Sequence, residues 1–181
     1  PQRLSAAAPM AFHSRLLFVP AAAIYAAALP PAAVAVEYQT IQAAQQKLVP
    51  GAALTPADFS LTPEQRSLLK ESYKVPVMRL GVKAWRVSTG GWLFLDQVYG
   101  RDDIVTYLAH VGDDNTLKGL EVLVCADGYC DIFTREWRAK LVGQTAGRWM
   151  PEDVVPMLSG ATLSCTHIAE GVKRLLAVHA R

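Results

Sequence analysis

Four apolar runs separated by turn-forming residues constrain the fold of this chain more than any other feature. The runs cover residues 82–88, 92–98, 104–111 and 117–125. The separators are rich in glycine, aspartate and asparagine, namely Gly90-Gly91, Gly100 and Asp113-Asp114-Asn115. Short apolar runs joined by such residues are typical of consecutive antiparallel strands. The sequence therefore predicts an antiparallel meander in the middle of the chain.

Two helical patterns precede these strands. In the first, Thr40 stands before apolar residues at i, i+3 and i+7, and Pro50-Gly51 ends the pattern. In the second, Thr62-Pro63-Glu64-Gln65 forms a capping box with proline at the first helical position, which predicts a helix through about Tyr73.

Two more helical patterns follow the strands. Trp137 and Leu141 stand four residues apart, with Gly143 as a stop. From Ile168 onward apolar residues recur at i, i+4, i+7 and i+8, and we expect Glu170 to pair with Arg174 on the solvent side. The whole pattern predicts the α+β class, a single domain in which helices flank one antiparallel sheet.

Residues 1–35 have the order of an export signal. Arg15 is followed by an uncharged apolar run over 16–29, and then by Pro30-Pro31 and Ala33-Val34-Ala35. An uncleaved membrane anchor is the alternative, although Pro20 and Pro30 interrupt the run. We expect cleavage before Val36, with residues 36–181 as the domain and a periplasmic or otherwise exported location.

The charge balance argues against nucleic acid as a partner. All of the excess positive charge lies in residues 1–35, which contain two arginines and no acidic residue; the remaining 146 residues carry 16 basic and 16 acidic side chains. Nucleic-acid binding depends mainly on neutralising phosphates with clustered Lys and Arg. The sequence therefore predicts no nucleic-acid partner.

The chain has three cysteines. Cys125 and Cys130 flank an Asp127-Gly128 turn, so they could face each other across a hairpin and form a disulfide in an oxidising compartment. Two half-buried thiols are the alternative, and either interpretation leaves Cys165 over. No second Cys/His pair at zinc spacing accompanies them, so we predict no metal site.

A run of small and hydroxylated residues comes before the last helical pattern, Ser159-Gly160-Ala161-Thr162-Leu163-Ser164. A helix entry of this kind offers backbone N–H groups, hydroxyl groups and close backbone access, which together suit a phosphate.

This run resembles the flavinylation motif of the FMN-binding domain family, which includes exported flavoproteins and the periplasmic flavin subunits of the Rnf and sodium-pumping NADH:quinone reductase complexes. The resemblance extends in order over most of residues 37–178. Pro156 stands where family members often have an acidic residue, and Cys165 stands where they commonly have a hydroxylated one.

The resemblance implies that Thr162 carries FMN through a phosphoester, attached by a flavin transferase that uses FAD and magnesium. It places Ser159, Gly160, Ala161, Leu163 and Ser164 around the cofactor. The function implied is electron transfer in a respiratory or extracytoplasmic redox chain. The resemblance does not identify the electron donor or the electron acceptor, and membrane-bound partners are among the possibilities. We expect an electron carrier without a substrate of its own.

The residues are also compatible with two other functions. A non-catalytic regulatory or sensory module could hold FMN without a covalent bond. A hydrolase using Ser164 with His167 is the poorer alternative, because no carboxylate is placed to orient the histidine. Trp137, Tyr107 and Trp149 are candidate neighbours of the flavin ring, although an aromatic residue in a domain of this size more often belongs to the core.

Overall fold

The protein is an α+β domain built on one antiparallel sheet with helices packed against it. The computed structural model describes residues 36–37, 39–73, 79–125, 135–149 and 162–180. The expected export signal over residues 1–35 lies outside these ranges, as do the Asp127-Gly128 turn and Cys130.

Among the described residues there are seven strands and four helices. The strands are β1 Val36–Glu37, β2 Leu54–Pro56, β3 Phe59–Ser60, β4 Gly81–Val87, β5 Trp92–Tyr99, β6 Ile104–Val111 and β7 Leu117–Cys125. The helices are α1 Ile41–Leu48, α2 Pro63–Tyr73, α3 Arg135–Ala139 and α4 Thr162–His179. The order of the strands in the sheet is β1-β7-β6-β5-β4-β2, and β3 also pairs with β4. The predicted meander is therefore confirmed as β4 to β7, extended by three short strands.

Local turn and cap chemistry explains the boundaries of these elements. Thr40 caps α1 by accepting a hydrogen bond from the backbone N–H of Ala43. Thr62 and Gln65 form both hydrogen bonds of the predicted capping box. Gly90 and Gly91 join β4 to β5 with φ angles of 108° and 83°, a conformation that disfavours any residue with a Cβ.

The sheet buries side chains on both faces, because alternate residues of a strand point to opposite sides. The larger core cluster joins β4 to β7 with residues of α2, α3 and α4, and Phe94, Tyr107 and Ile168 are among its most buried members. The smaller cluster joins the other face to α1 through Ala44, Leu93 and Leu108. The continuously apolar central strands follow from this double burial.

Two helices differ from the sequence prediction. α3 ends at Ala139, so Leu141 lies in the turns that follow the helix, although it is still buried in the larger cluster. α4 begins at Thr162, six residues before the apolar repeat that begins with Ile168. Thr162, Ser164 and Thr166, which precede that repeat, therefore belong to the helix itself.

α4 lies unusually close to the sheet at Gly171. A Cβ at this position would overlap the hydroxyl group of Tyr107 and would lie 2.8 Å from Cγ1 of Val98. A glycine in a helix costs about 1 kcal/mol relative to alanine, so another benefit must offset that cost. The benefit here is close approach of the helix to β5 and β6.

We expect Gly171→Ala to lower the free energy of unfolding by about 1 to 3 kcal/mol, since overlap with Tyr107 and Val98 outweighs the gain in helix propensity. Chemical denaturation measures the difference. In a Tyr107→Phe background, which lacks the overlapping hydroxyl oxygen, the same change at Gly171 should cost less stability than it does in the wild type. A Gly171→Ala protein more stable than the wild type would contradict this position of α4.

Candidate functional site

Thr162, the residue that the resemblance singles out, is the first residue of α4, and its side chain is exposed. Leu163 is 55% exposed, whereas Ser164 is fully buried. Ser159, Gly160 and Ala161 lie outside the described residues. Of the motif residues that the structure describes, Thr162 is therefore the one that presents a hydroxyl group to solvent.

The turn between β5 and β6 is fixed against the first two turns of α4. The backbone N–H of Arg101 donates to Oγ of Ser164 over 2.9 Å. Nδ1 of His167 lies 2.6 Å from the carbonyl oxygen of Tyr99, a contact that requires Nδ1 to carry its hydrogen. Ser164 and His167 thus hold the turn in place, and neither contact joins them as the hydrolase alternative requires.

A cavity of about 420 Å³ opens beside α4. We call it the α4 cavity; it is bounded by α4, β4, β5, the start of β6 and the residues just before β4 and α2. Its apolar wall consists of seven aliphatic side chains and Tyr99, the aliphatic ones being Leu61, Val82, Leu95, Val98, Ile104, Leu175 and Val178. Its polar groups are Arg79, Asp96, Gln97, His167, Glu170 and Arg174.

A polar network crosses the boundary between the sheet and α4 at this cavity. Tyr107 donates from its hydroxyl group to Oδ2 of Asp96 over 2.6 Å, and the guanidinium group of Arg174 donates to the same oxygen over 2.5 Å. Burial raises the pKa of Tyr107 well above its ordinary value, and the negative charge of Asp96 adds to the effect. The phenol therefore stays protonated and keeps donating at neutral pH.

Arg174 does not lie on the solvent side where the sequence prediction placed it. Its guanidinium group forms an ion pair with Asp96, 78 residues earlier in the chain, and the negative charge of Glu170, the expected partner, also favours its protonated form. The side chains of Arg174 and Asp96 are only 12% and 19% exposed, so this end of α4 is not a solvated face. The i, i+4 spacing of the charges correctly indicated a helix, but it did not identify the solvent-exposed face of that helix.

The three aromatic candidates for the flavin ring belong to the core. Tyr107 is fully buried, Trp137 is nearly so, and Trp149 packs against the same cluster while partly exposed. The aromatic residue at the α4 cavity is Tyr99, which is 64% exposed and which sequence reasoning did not single out. The sequence signal that could have identified Tyr99 was its position at the end of the apolar run over residues 92–98.

Two of the three cysteines lie in the described residues, and their states agree with the disulfide interpretation. Cys125 is disulfide-bonded at the end of β7, while Cys165 is a buried thiol in the first turn of α4. Cys130 lies outside the described residues.

Two kinds of feature are absent from the residues that the structure describes. Those residues contain no group of three or more His, Cys, Asp or Glu side chains arranged to hold a metal ion. No helix within the described ranges is long and apolar enough to cross a membrane.

Two further histidines, His110 of β6 and His179 at the end of α4, do not line the α4 cavity. Burial lowers the pKa of His110 below its ordinary 6.5, with Lys118 adding to the effect and a hydrogen bond to Gly90 and the charge of Asp113 opposing it. Burial also lowers the pKa of His179, whose Nδ1 contacts Oδ1 of Asn115. For His179 the charges of Asp113 and Asp114 oppose the effect and that of Arg86 adds to it.

We expect stability to fall as the pH drops below about 6.5, because the unfolded chain then binds protons that folded His110 and His179 resist. Above that pH these two groups contribute no slope. Thermal midpoints between pH 8 and pH 5 measure the effect, and a His110→Asn/His179→Gln protein should lose most of the slope. The pKa of Asp114 is lowered to about 2, so its titration lies below this window. A wild-type midpoint that stays constant down to pH 5 would contradict the prediction.

No family model, curated protein or solved structure matches this chain. Function is therefore inferred from the residues of the motif and from the geometry around α4.

Proposed function

We propose that this protein is an exported flavoprotein that carries FMN on Thr162 through a phosphoester and passes electrons between a donor and an acceptor in an extracytoplasmic redox chain. The observation that carries the proposal is the position of Thr162. It is the first residue of an 18-residue helix, it is exposed, and it is the residue that the resemblance assigns to the cofactor.

The residues present fit a phosphate group at this place. The first N–H groups of a helix have no intrahelical acceptor, and the helix dipole favours negative charge there. A phosphodiester keeps one negative charge, and the first turn of α4 contains no acidic residue to repel it. Ser164 faces inward, so the oxygen of Thr162 is the accessible nucleophile of the described motif residues.

The attachment is a transfer of FMN from FAD. The hydroxyl group of Thr162 gives up its proton, its oxygen forms the new bond to the FMN phosphorus, and AMP leaves with the electrons of the broken pyrophosphate bond. The transferase supplies magnesium and the base, so this chain needs neither. Its own contribution is an accessible threonine on a rigid helix.

Bound flavin supplies one-electron and two-electron redox chemistry, and the protein supplies attachment, orientation and access for partners. A covalent link suits an exported protein, because a dissociable cofactor would be lost to dilute surroundings. A disulfide at Cys125 is consistent with an oxidising compartment. N-terminal sequencing of the exported protein tests this part of the proposal, with Val36 as the expected first residue.

The central experiment is co-expression of the full chain with an active flavin transferase. We expect the intact mass to increase by one FMN less one water, and the denatured protein band to fluoresce under ultraviolet light. Peptide mapping should place the addition on the peptide containing Thr162. A protein that stays unmodified beside a transferase that labels a control substrate would count against the covalent proposal.

The second candidate is a regulatory or sensory module that holds FMN without a bond. The α4 cavity favours it, because a cavity of about 420 Å³ lies within the range of about 300 to 1,000 Å³ that is typical of small-molecule sites. Under this alternative, purified protein made without a transferase binds FMN reversibly, and gel filtration in the presence of denaturant removes all of it.

A further inference from the structure

We propose that the sheet face opposite α4 is a docking surface for an extended acidic segment of a partner protein. The surface lies on β4, on β5 and on the chain just before β4. We call it the outer patch, and it consists of Arg79, Gly81, Lys83, Leu95, Gln97 and Tyr99. It shares no residue with the flavinylation motif, so the inference is independent of the proposed function.

The alternation of side chains along β5 places three of these residues on the face away from α4. Asp96 and Val98 point toward α4, one through its ion pair and the other in the larger core cluster. Leu95, Gln97 and Tyr99 alternate with them, so they point the opposite way. Tyr99 contacts α4 through its backbone carbonyl oxygen, whereas its side chain is 64% exposed.

Two cationic side chains lie on the same face. Lys83 is directly opposite Leu95 in the pairing of β4 with β5, and its Nζ lies 5.9 Å from the ring centroid of Trp85. Arg79 reaches this face because its Nη1 donates to Oε1 of Gln97 over 2.8 Å. Both cationic residues are exposed, so their charges are accessible to a partner.

The helices of the described residues leave the outer patch open. α1 covers another part of this face, since it packs over β6 and β7 and the smaller core cluster. α2, α3 and α4 contribute to the larger cluster on the opposite face. The outer patch is therefore a sheet surface with half-buried and exposed apolar side chains and with no described helix packed over it.

The sign of the charge identifies the kind of partner. Residues 36–181 carry equal numbers of basic and acidic side chains, 16 of each, yet the outer patch has two basic side chains and no acidic one. Asp102 and Asp103 lie in the turn after Tyr99, beyond the end of the patch. Charge complementarity therefore favours an anionic partner, and the apolar side chains favour one that also brings apolar groups.

The spacing of the two cations suits an extended segment. Arg79 and Lys83 stand two residues on either side of Gly81, which at about 3.3 Å per residue separates them by up to about 13 Å. A Cβ built on Gly81 meets no atom within 4 Å, so the surface between the cations is open. An extended segment with acidic residues at i and i+4 and an apolar residue at i+2 matches this arrangement, because all three side chains point to one side.

An anionic membrane fits the outer patch less well. Proteins that bind such membranes through charge use clusters of about four to eight Lys and Arg residues, and the outer patch has two. Its large aromatic neighbour Trp85 is half-buried against the smaller core cluster rather than projecting from the surface. A segment of protein chain is therefore the occupant that the patch favours.

The test is a titration of the isotope-labelled protein with the capped peptide Ser-Glu-Thr-Leu-Thr-Glu-Ser, followed by NMR. We expect saturable shifts of the backbone amide signals of Lys83, Leu95 and Gln97. The peptide with glutamine in place of both glutamates should bind at least about fivefold more weakly, because it lacks the charges that the cations attract. Increasing the salt from about 10 mM to about 150 mM shortens the Debye length from about 30 Å to about 8 Å and should also weaken binding.

A pair of double variants with the same change in net charge locates the site. Arg79→Glu/Lys83→Glu should weaken binding about tenfold or more, since two attractions become repulsions. Arg66→Glu/Lys70→Glu is the matched control, because both residues are exposed on α2, on the other side of the sheet. The control should bind within about twofold of the wild type at about 150 mM salt, where distant charges are screened.

A second pair of variants tests shape without changing charge. Gly81→Leu fills the open surface between the cations and should weaken binding several-fold. Gly147→Leu is its control, because Gly147 is also exposed and a Cβ there also meets no atom within 4 Å. Equal affinities of the two double variants, or of the acidic and the glutamine peptide, would overturn the proposal. So would absence of saturable peptide binding, whether or not the protein sediments with phosphatidylglycerol vesicles, and sedimentation that Arg79→Glu/Lys83→Glu abolishes would assign the patch to a membrane instead.

Discussion

Thr162→Ala co-expressed with a flavin transferase should emerge with no covalent flavin at all. The expected loss is complete, because the substitution removes the oxygen atom that forms the phosphoester. The mass increment and the fluorescence of the denatured band should both disappear. Since Thr162 is exposed, the change in the free energy of unfolding should stay within about 0.5 kcal/mol.

Thr166→Ala is the matched control for this experiment. Thr166 lies one helical turn after Thr162 on the same face, and its Oγ1 donates to the carbonyl oxygen of Thr162 over 2.9 Å. Its removal tests whether any threonine near the helix entry matters, and it should leave labelling intact. Thr162→Ser keeps a hydroxyl group and should retain part of the labelling.

Pro156 is a candidate cause if the wild type stays unlabelled. Members of the FMN-binding domain family, which the motif resembles, often have an acidic residue at the corresponding position, so Pro156→Asp is the variant that introduces one. Labelling of that variant would locate the defect in recognition by the transferase. If the variant also stays unlabelled and the wild type binds no FMN in solution, the flavoprotein proposal is wrong.

The central strands and the capped helices were predictable because their signals are local. The β6 and β7 runs end where the chain has turn residues, and both capping interactions join residues three apart. Helix α1 follows its N-cap Thr40 in the same way. Each of these signals depends on neighbouring residues, which a single sequence displays directly.

The arrangement around α4 was not predictable, because its contacts join distant residues. In the sequence, Asp96 is an isolated charge in an apolar run. Only the pairing of β5 with β6 places it opposite Tyr107. Arg174 comes to the same oxygen from a helix 78 residues later. The short strands β1, β2 and β3 were missed for a related reason, since two or three residues carry too little periodic signal.

Gly171 shows how a local rule and a tertiary contact can disagree. Helix propensity disfavours glycine there, yet the glycine lets α4 approach the Tyr107 hydroxyl group. The same approach brings Arg174 to Asp96 and forms one wall of the α4 cavity. Gly171 is therefore one of several contacts between helix and sheet that support the network and the cavity.

Arg174→Met should cost about 3 kcal/mol of unfolding free energy, the largest loss of stability that we expect from a single substitution here. The methionine side chain keeps much of the packing, but Asp96 is left largely buried without its cationic partner. The hydrogen bond from Tyr107 persists and compensates only in part. Lys118→Met is the matched control, because its pair with Asp114 is 43% and 55% exposed and contributes at most about 1 kcal/mol.

A double variant separates the ion pair from simple packing. Asp96→Asn combined with Arg174→Met leaves no uncompensated charge, so the double variant should be more stable than Arg174→Met alone despite carrying one more substitution. Chemical denaturation of the wild type, both single variants and the double variant gives the coupling free energy. If Arg174→Met and Lys118→Met lose the same stability, or if the two changes at Asp96 and Arg174 are additive, the buried pair does not join α4 to β5 as the geometry requires.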